Sequence, residues 1–267
     1  MNDFISLENT GENYSFFFNS SHMFIIFSSL LLIAFFMVYY ERQSRKSQRI
    51  FVGITTALLV LLEGARIYWR YLYLSKNGES LSFLSVTGLD FFTLSLWISI
   101  PLLIVGVIIM GKRDYAFGLN FIFSVGSLAA VITLIYPVGL NSNFPFYHCY
   151  NLIWLLERTF LCMLGFILAV SKWISAREFL DLWAGILSLG FFGGVCVFLN
   201  VIVGWKNNLF YVARCPIFEE LSIYLPFPIH FLLLGAFLIM FQLILFLPFR
   251  LFERRRNKLI EQGKYHN

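Results

Sequence analysis

Seven apolar segments, each long enough to cross a lipid bilayer, account for most of the sequence. They span residues 22–40, 50–74, 89–110, 116–137, 150–170, 179–205 and 229–249. A membrane span needs about 20 apolar residues in a helix, because the helix satisfies its own backbone polar groups. Hydrophobic residues make up 59% of the chain and charged residues only 13%, which excludes an ordinary soluble domain. We predict an all-α, polytopic transmembrane bundle of seven spans.

Lys and Arg residues are unevenly divided between the two sides of the predicted bundle. One side carries only Lys76, Lys206 and Arg214. The other side carries a larger set, in three connectors and the tail: Arg42, Arg45, Lys46, Arg49, Lys112, Arg113, Lys172, Arg177, Arg250, Arg254, Arg255, Arg256, Lys258 and Lys264. Basic residues accumulate on the cytoplasmic side of membrane proteins. The N-terminus is therefore predicted outside and the C-terminus in the cytoplasm, as an odd number of spans requires.

This topology defines three regions of a multi-pass protein of the cell membrane. Residues 1–21 form an extracellular segment, residues 22–249 the transmembrane domain, and residues 250–267 a basic cytoplasmic tail. The first 20 residues contain no Lys or Arg, so they do not resemble a secretory signal peptide. The basic residues are interpreted as topology signals, and no nucleic-acid partner is predicted.

The second span contains charged residues at membrane depth, in the stretch LLEGARIYWRYLY at residues 61–73. Glu63, Arg66 and Arg70 share one helix face because of their i, i+3 and i+7 spacing. Glu157 and Arg158 lie at a similar depth in the fifth span. Ionisable side chains inside a bilayer must face protein or a water-filled cavity. Other polar residues of the outer half include Asp90, Trp97, Ser99, Asn200 and His230.

Two interpretations of these charges remain open. In the first, they are buried ion pairs that fix helix register, with Glu63 paired to Arg66 or Arg70 and Glu157 paired to an Arg of another span. In the second, they line an outward-facing polar cavity whose excess of Arg suits a phosphate or carboxylate. The second interpretation predicts a ligand-binding set: Glu63, Arg66, Arg70, Trp97, Arg158, Asn200 and His230.

Motifs of soluble enzymes are missing from the sequence, including Gly-rich phosphate loops, HExxH and CxxC. No cofactor and no metal site are predicted. Cys149 and Cys215 both fall in predicted outside loops, where they form either a disulfide or two free thiols. Glycines of the sixth span, at Gly190, Gly193 and Gly194, are expected to permit close helix packing.

Residues 198–216 read FLNVIVGWKNNLFYVARCP, with Asn200, Gly204, Asn208, Tyr211 and Pro216 at spaced positions. The last span begins with LPFPIHF. This order of features resembles the YwaF-type family of integral membrane proteins, whose relatives include the transmembrane acyltransferase of ether phospholipids. The His-x-Cys of that family is replaced here by Trp97-x-Ser99, and its His of the fifth span by Arg158, after Glu157.

The resemblance implies a lipid-sized cavity, and acyl transfer by a Cys nucleophile helped by a His. With both replaced, we expect a catalytically altered member whose outward-facing cavity binds a phospholipid headgroup or a small anion. One alternative is a lipid acyltransferase or ester hydrolase with Ser99 and Glu157 as catalytic residues. However, Ser99 is expected to hydrogen-bond to the backbone four residues earlier. The other alternative is a transporter component.

Overall fold

The computed structural model describes residues 5–7, 19–109, 116–137, 140–141, 143–170, 179–203, 229, 232–233, 235–244, 246–247 and 251. Within these residues the regular structure is entirely helical, as predicted. The helices are α1 (Ser20–Glu41), α2 (Arg45–Lys76), α3 (Phe83–Thr87), α4 (Phe91–Ile109), α5 (Ala116–Phe121), α6 (Ser127–Ile135), α7 (Cys149–Val170), α8 (Phe179–Val203) and α9 (Gly235–Ile244). A π-helical segment, Ile122–Gly126, joins α5 to α6.

Six helical spans in the described residues are long and apolar enough to cross a membrane. Five are the helices α1, α2, α4, α7 and α8, and the sixth runs through α5, the π-helical segment and α6. They coincide with the first six predicted spans. In the seventh predicted span, the described residues contain the shorter apolar helix α9.

Polar side chains next to the apolar segments determine where several helices begin. Asn19 and Ser44 accept hydrogen bonds from backbone N–H groups three residues later, at the starts of α1 and α2. Asp90 does the same before α4, where its Oδ1 accepts from the N–H of Thr93 at 2.7 Å. Such caps satisfy N–H groups that the first turn leaves free. Because Ser44 caps α2, this helix begins five residues before the predicted start of the span.

The helix α7 lies at the centre of the bundle and packs against α1, α2, α6 and the π-helical segment. Its residues Leu161, Leu164, Ile167 and Leu168 are all completely buried. Polar contacts add to this packing, since the hydroxyls of Ser29 on α1 and Thr159 on α7 are 2.9 Å apart. The helix α8 packs on the other side of the bundle, against α5 and the π-helical segment.

Glycines allow close contacts at the π-helical segment and on α8, but not at the predicted positions Gly190 and Gly194. A Cβ on Gly126 would lie 2.8 Å from the hydroxyl oxygen of Ser99, and a Cβ on Gly185 would overlap the amide of Gln242. Among the described residues, no atom of another element lies within 4 Å of a Cβ built at Gly190 or at Gly194. The predicted close packing at these two glycines is therefore wrong. The glycine of α8 that permits a close contact, Gly185 with Gln242, therefore lies in the first half of the helix.

Candidate functional site

A cavity of about 480 Å³ lies at the end of the bundle where α2 ends and α4 and α7 begin. Charged and polar groups form much of its wall, namely Arg66, Arg70, Glu79, Asp90, Asn141 and Asn143. Large aromatic side chains form another part: Trp69, Tyr73, Tyr150 and Trp154. Two of the predicted ligand-binding residues, Arg66 and Arg70, thus share one cavity. Its two carboxylates, Glu79 and Asp90, were not in the predicted ligand-binding set.

The two cavity arginines hold the connector between α2 and α4 through its backbone carbonyls. Arg66 Nη2 donates to the carbonyl of Thr87 at 2.9 Å, and Arg70 Nε donates to the carbonyl of Ser85. The connector then turns at Gly88, which has φ of +58° and ends α3. A side chain at Gly88 would also collide with the Arg70 guanidinium. The α3–α4 connector is therefore shaped around the arginines.

Arg66 also belongs to a buried ion-pair network that joins α2, α4 and α7. Its Nε and Nη2 each donate to Glu63 at 2.8 Å, and its Nε lies 3.7 Å from Glu157 Oε2. The indole N–H of Trp97 donates to Glu63. Both pairs of the ion-pair interpretation are present, so that hypothesis is confirmed for Glu63 with Arg66 and for Glu157 with an Arg of another span. Because Arg66 borders the cavity as well, the two interpretations describe connected parts of one region.

Arg158 lies near this region but does not line the cavity described above. Its side chain is 1% exposed, and its guanidinium carbon lies 5.4 Å from the centre of the Trp154 ring. None of its three nitrogens has a hydrogen-bond partner among the described residues. The Glu157 carboxyl bonds to the carboxyl of Glu63. The buried carboxamide of Asn200, like the Arg158 guanidinium, has no hydrogen-bond partner within the described residues.

Ser99 is completely buried on α4. Its hydroxyl donates to the carbonyl of Ser95 at 2.7 Å, which confirms the expected bond to the backbone four residues earlier. It is not among the residues that line the cavity, and no hydrogen bond between Ser99 and Glu157 occurs in the described residues. The geometry therefore offers no activated nucleophile at this position.

The structure describes only one of three further predicted residues, Cys149, Cys215 and His230. Cys149 carries a free, buried thiol, whereas Cys215 lies outside the described residues, as does His230. In the described part of the chain, no group of three His, Cys, Asp or Glu side chains is placed to hold a metal ion.

Residues before and within the first turn of α7 organise one cavity wall, and sequence reasoning missed them. Asn151 donates to the carbonyls of Asn141, Phe144 and Pro145 at 3.2–3.3 Å and so fixes the loop before α7. His148 lies in that loop, and its Nδ1 accepts from the N–H of Tyr150 at 3.2 Å. Nothing in the spacing of these residues marks them, because their partners are backbone carbonyls and amides.

The other ring nitrogen of His148 bonds to the N-terminal segment. Its Nε2 lies 3.0 Å from the carbonyl of Ser6, so the neutral ring must carry its proton on Nε2, as its Nδ1 already accepts. The ring stacks on Phe144 at 4.2 Å and meets the edge of Trp69 at 5.1 Å. Burial lowers the pKa of His148 below its ordinary value, although the bond to Ser6 acts in the opposite direction.

Comparison with known proteins identifies one family. The sequence model of the TMEM164 family matches residues 17–246. No curated protein and no solved structure matches the chain. The match and the six long apolar spans confirm a multi-pass membrane protein, while the YwaF-type resemblance stays a prediction. Since the matched residues cover most of the sequence, the chain belongs to the TMEM164 family.

Proposed function

We propose that this protein binds the headgroup of a membrane phospholipid in the cavity bordered by Arg66 and Arg70. The observation that carries the proposal is the presence of both arginines in one cavity of about 480 Å³. Guanidinium groups bind phosphate oxygens through charge-assisted, often bidentate hydrogen bonds. Two N–H groups of Arg70 already form hydrogen bonds within the protein. The Nε donates to the carbonyl of Ser85, and Nη1 donates to the Tyr150 hydroxyl at 3.3 Å. Its remaining donors are available to a ligand.

The carboxylates of the cavity favour a headgroup over a small anion. Glu79 and Asp90 line the same space as the arginines, and they oppose the entry of a ligand that carries only negative charge. A headgroup with both a phosphate and an ammonium group matches both signs. The rings of Trp69, Tyr73 and Trp154 add π faces that attract an ammonium group.

The proposal includes the topology that places this cavity at the outer leaflet. With seven spans and the positive-inside orientation, the end of α2 and the start of α4 face outward. A phospholipid of the outer leaflet then reaches the cavity with its headgroup, while its acyl chains stay among the exposed apolar side chains of the helices. Exposed side chains near the cavity, such as Tyr68 on α2 and Phe83 on α3, are suited to such contacts.

Native mass spectrometry of the purified protein tests this proposal. The parent should retain phospholipid, and Arg70→Ala should lose most of it while it remains folded, with a loss of thermal stability limited to its contacts with Ser85 and Tyr150. Arg49→Ala is the matched control, because Arg49 lies at the other end of α2 and donates to the carbonyl of Ile108. Equal lipid retention in the two variants, or none in the parent, would contradict the proposal.

A further inference from the structure

The carboxyl groups of Glu63 and Glu157 meet inside the bundle, where α2 packs against α7. Glu157 is completely buried, and Glu63 is 6% exposed. The two carboxyls are hydrogen-bonded to each other. A hydrogen bond needs a donor, and an ionised carboxylate offers only acceptors. One of the two groups therefore carries a proton.

The partners of Glu63 identify it as the ionised member of the pair. Its two oxygens accept from Nε and Nη2 of Arg66, at 2.8 Å each, and the indole N–H of Trp97 donates to the same carboxylate. Three N–H donors, two of them from a cation, stabilise a negative charge. A proton on Glu63 would remove the charge that these donors stabilise.

Glu157 has the surroundings of a neutral acid. No N–H group of the described residues donates to either of its oxygens. Its ion-pair contact, Arg66 Nε, lies 3.7 Å away and already donates to Glu63, and no ion pair within 4.0 Å joins it to Arg158 in the described part of the chain. A buried carboxylate without donors, beside a second carboxylate, is costly. A carboxylic acid is neutral there and donates to Glu63.

The other elements packed against α7 bring no further charge to the pair, as far as the structure describes them. The buried residues of α6 and of the π-helical segment are all uncharged. The titratable side chains buried on α1 are His22 and Tyr40, and they bond to the carbonyls of Leu134 and Gln48. The charges that act on the pair are thus those of the two arginines already described.

We infer that Glu63 and Glu157 form a proton-binding site inside the bundle, in which the Glu157 carboxyl carries the proton and donates it to the Glu63 carboxylate. The ligand is a single proton, held at neutral pH. Two carboxyls that share one proton in this way avoid two adjacent negative charges. The site does not depend on headgroup binding, which concerns the free donors of Arg70.

The bound proton changes the charge beside the cavity. With the proton in place, Glu63 balances Arg66, and the charge of Arg158 remains, so the cluster has one net positive charge. Without the proton, the cluster is neutral. Charges in a buried region are weakly screened, and Arg66 contacts both carboxyls and also borders the cavity. The proton therefore makes the potential at this wall of the cavity more positive.

Infrared spectroscopy of the full-length protein tests this inference. The protein is labelled with ¹³C at the glutamate side-chain carboxyls and held in a detergent without ester groups, so that only glutamate carboxyl bands shift with the label. At neutral pH the parent should show a label-shifted carboxylic-acid C=O band that moves again in D₂O. Glu157→Gln should abolish this band. Glu41→Gln is the control, because it removes an exposed carboxyl at the end of α1 and should keep the band.

A second variant and a second measurement test the pairing. Glu63→Gln should abolish the band as well, because Arg66, left without its carboxylate, then holds Glu157 in the ionised form. Thermal unfolding gives an independent result. Glu157→Gln keeps a neutral N–H donor for Glu63, so its unfolding temperature should fall far less than that of Arg66→Met, for which a loss on the order of 10 °C is expected.

Three results would overturn the inference. These are the absence of a label-shifted acid band from the parent, survival of the band in folded Glu157→Gln or Glu63→Gln, and an unfolding temperature of Glu157→Gln as low as that of Arg66→Met. If Glu157→Gln cannot be purified, the spectra of the parent and of Glu63→Gln still decide the question. Loss of phospholipid from Arg70→Ala affects none of these results, so this inference and the headgroup proposal fail separately.

Discussion

The guanidinium of Arg66 lies 3.7 Å from the carboxylate of Glu157 across the interface of α2 and α7. The same guanidinium holds Glu63 of its own helix through two hydrogen bonds of 2.8 Å. One buried cation therefore interacts with two buried carboxyl groups. Removal of a single partner from such a cluster is far more costly than neutralisation of the whole cluster.

The first prediction concerns that cation. Arg66→Met should lower the free energy of unfolding by about 3–5 kcal/mol, because it leaves the carboxylate of Glu63 buried without its ion-pair partner. Thermal unfolding of the purified protein in detergent measures the effect. The triple variant Glu63→Gln, Arg66→Met, Glu157→Gln should recover much of the loss. An Arg66→Met variant as stable as the parent would show that the network does not hold α2 to α7.

The second prediction concerns the close contact of α4 with the π-helical segment. Gly126→Ala should destabilise the protein by about 1–3 kcal/mol, as overpacking does, because the new Cβ would lie 2.8 Å from Ser99 Oγ and 3.3 Å from Leu161. Gly190→Ala is the control, since no atom outside its own stretch of helix lies within 4 Å of its Cβ among the described residues. Equal unfolding temperatures for the two variants would contradict this packing.

The sequence predicts the helices well because a bilayer permits few other structures. Six apolar segments coincide with long helices, and α2 differs mainly at its start, where Ser44 provides a cap. The need to compensate buried charge also predicts that Glu63 and Glu157 meet arginines. The sequence does not predict how the two arginines divide these contacts. Arg66 interacts with both carboxyl groups, whereas Arg70 bonds to Ser85 and Tyr150, because of the way α2, α3 and α7 pack together.

Other parts of the site leave no pattern in the sequence. Glu79 lies in a polar loop, and only the fold brings it into the wall of the cavity. Asn151 and His148 act on backbone groups, so no complementary side chain marks their roles. The contact glycines differ from the predicted ones for a similar reason, because the sequence does not show which face of α8 meets another helix.

The third prediction concerns pH. Burial lowers the pKa of His148 in the folded protein, while the unfolded chain titrates near the ordinary value of about 6.5. Below that pH the unfolded state binds more protons, so stability should decrease as pH falls through about 6.5 and should not depend on His148 above it. The His148→Gln variant removes this contribution.

Unfolding temperatures of the parent and of His148→Gln between pH 8 and pH 5 measure the difference. The parent should lose more stability than the variant on acidification, and hydrogen exchange at Tyr150 should rise as its bond to Nδ1 is lost. Parallel pH curves for the two proteins would contradict the proposed neutral state of His148.

The fourth prediction concerns Ser99. A serine-reactive lipid probe should leave this residue unlabelled, because the hydroxyl is buried and donates to Ser95. Peptide mapping after exposure to the probe gives the result, with Ser99→Ala as the reference. Labelling of the parent that disappears in Ser99→Ala would instead support a catalytic serine.

The most direct test of the central proposal is an experimental structure of the protein in phospholipid nanodiscs. Electron cryomicroscopy with a bound antibody fragment should show a lipid whose phosphate lies within hydrogen-bonding distance of Arg70, with its ammonium group beside Glu79 or Asp90. The density should be missing from the Arg70→Ala variant and present in Arg49→Ala. A cavity that contains only water in the parent, with acyl chains passing its entrance, would contradict the account.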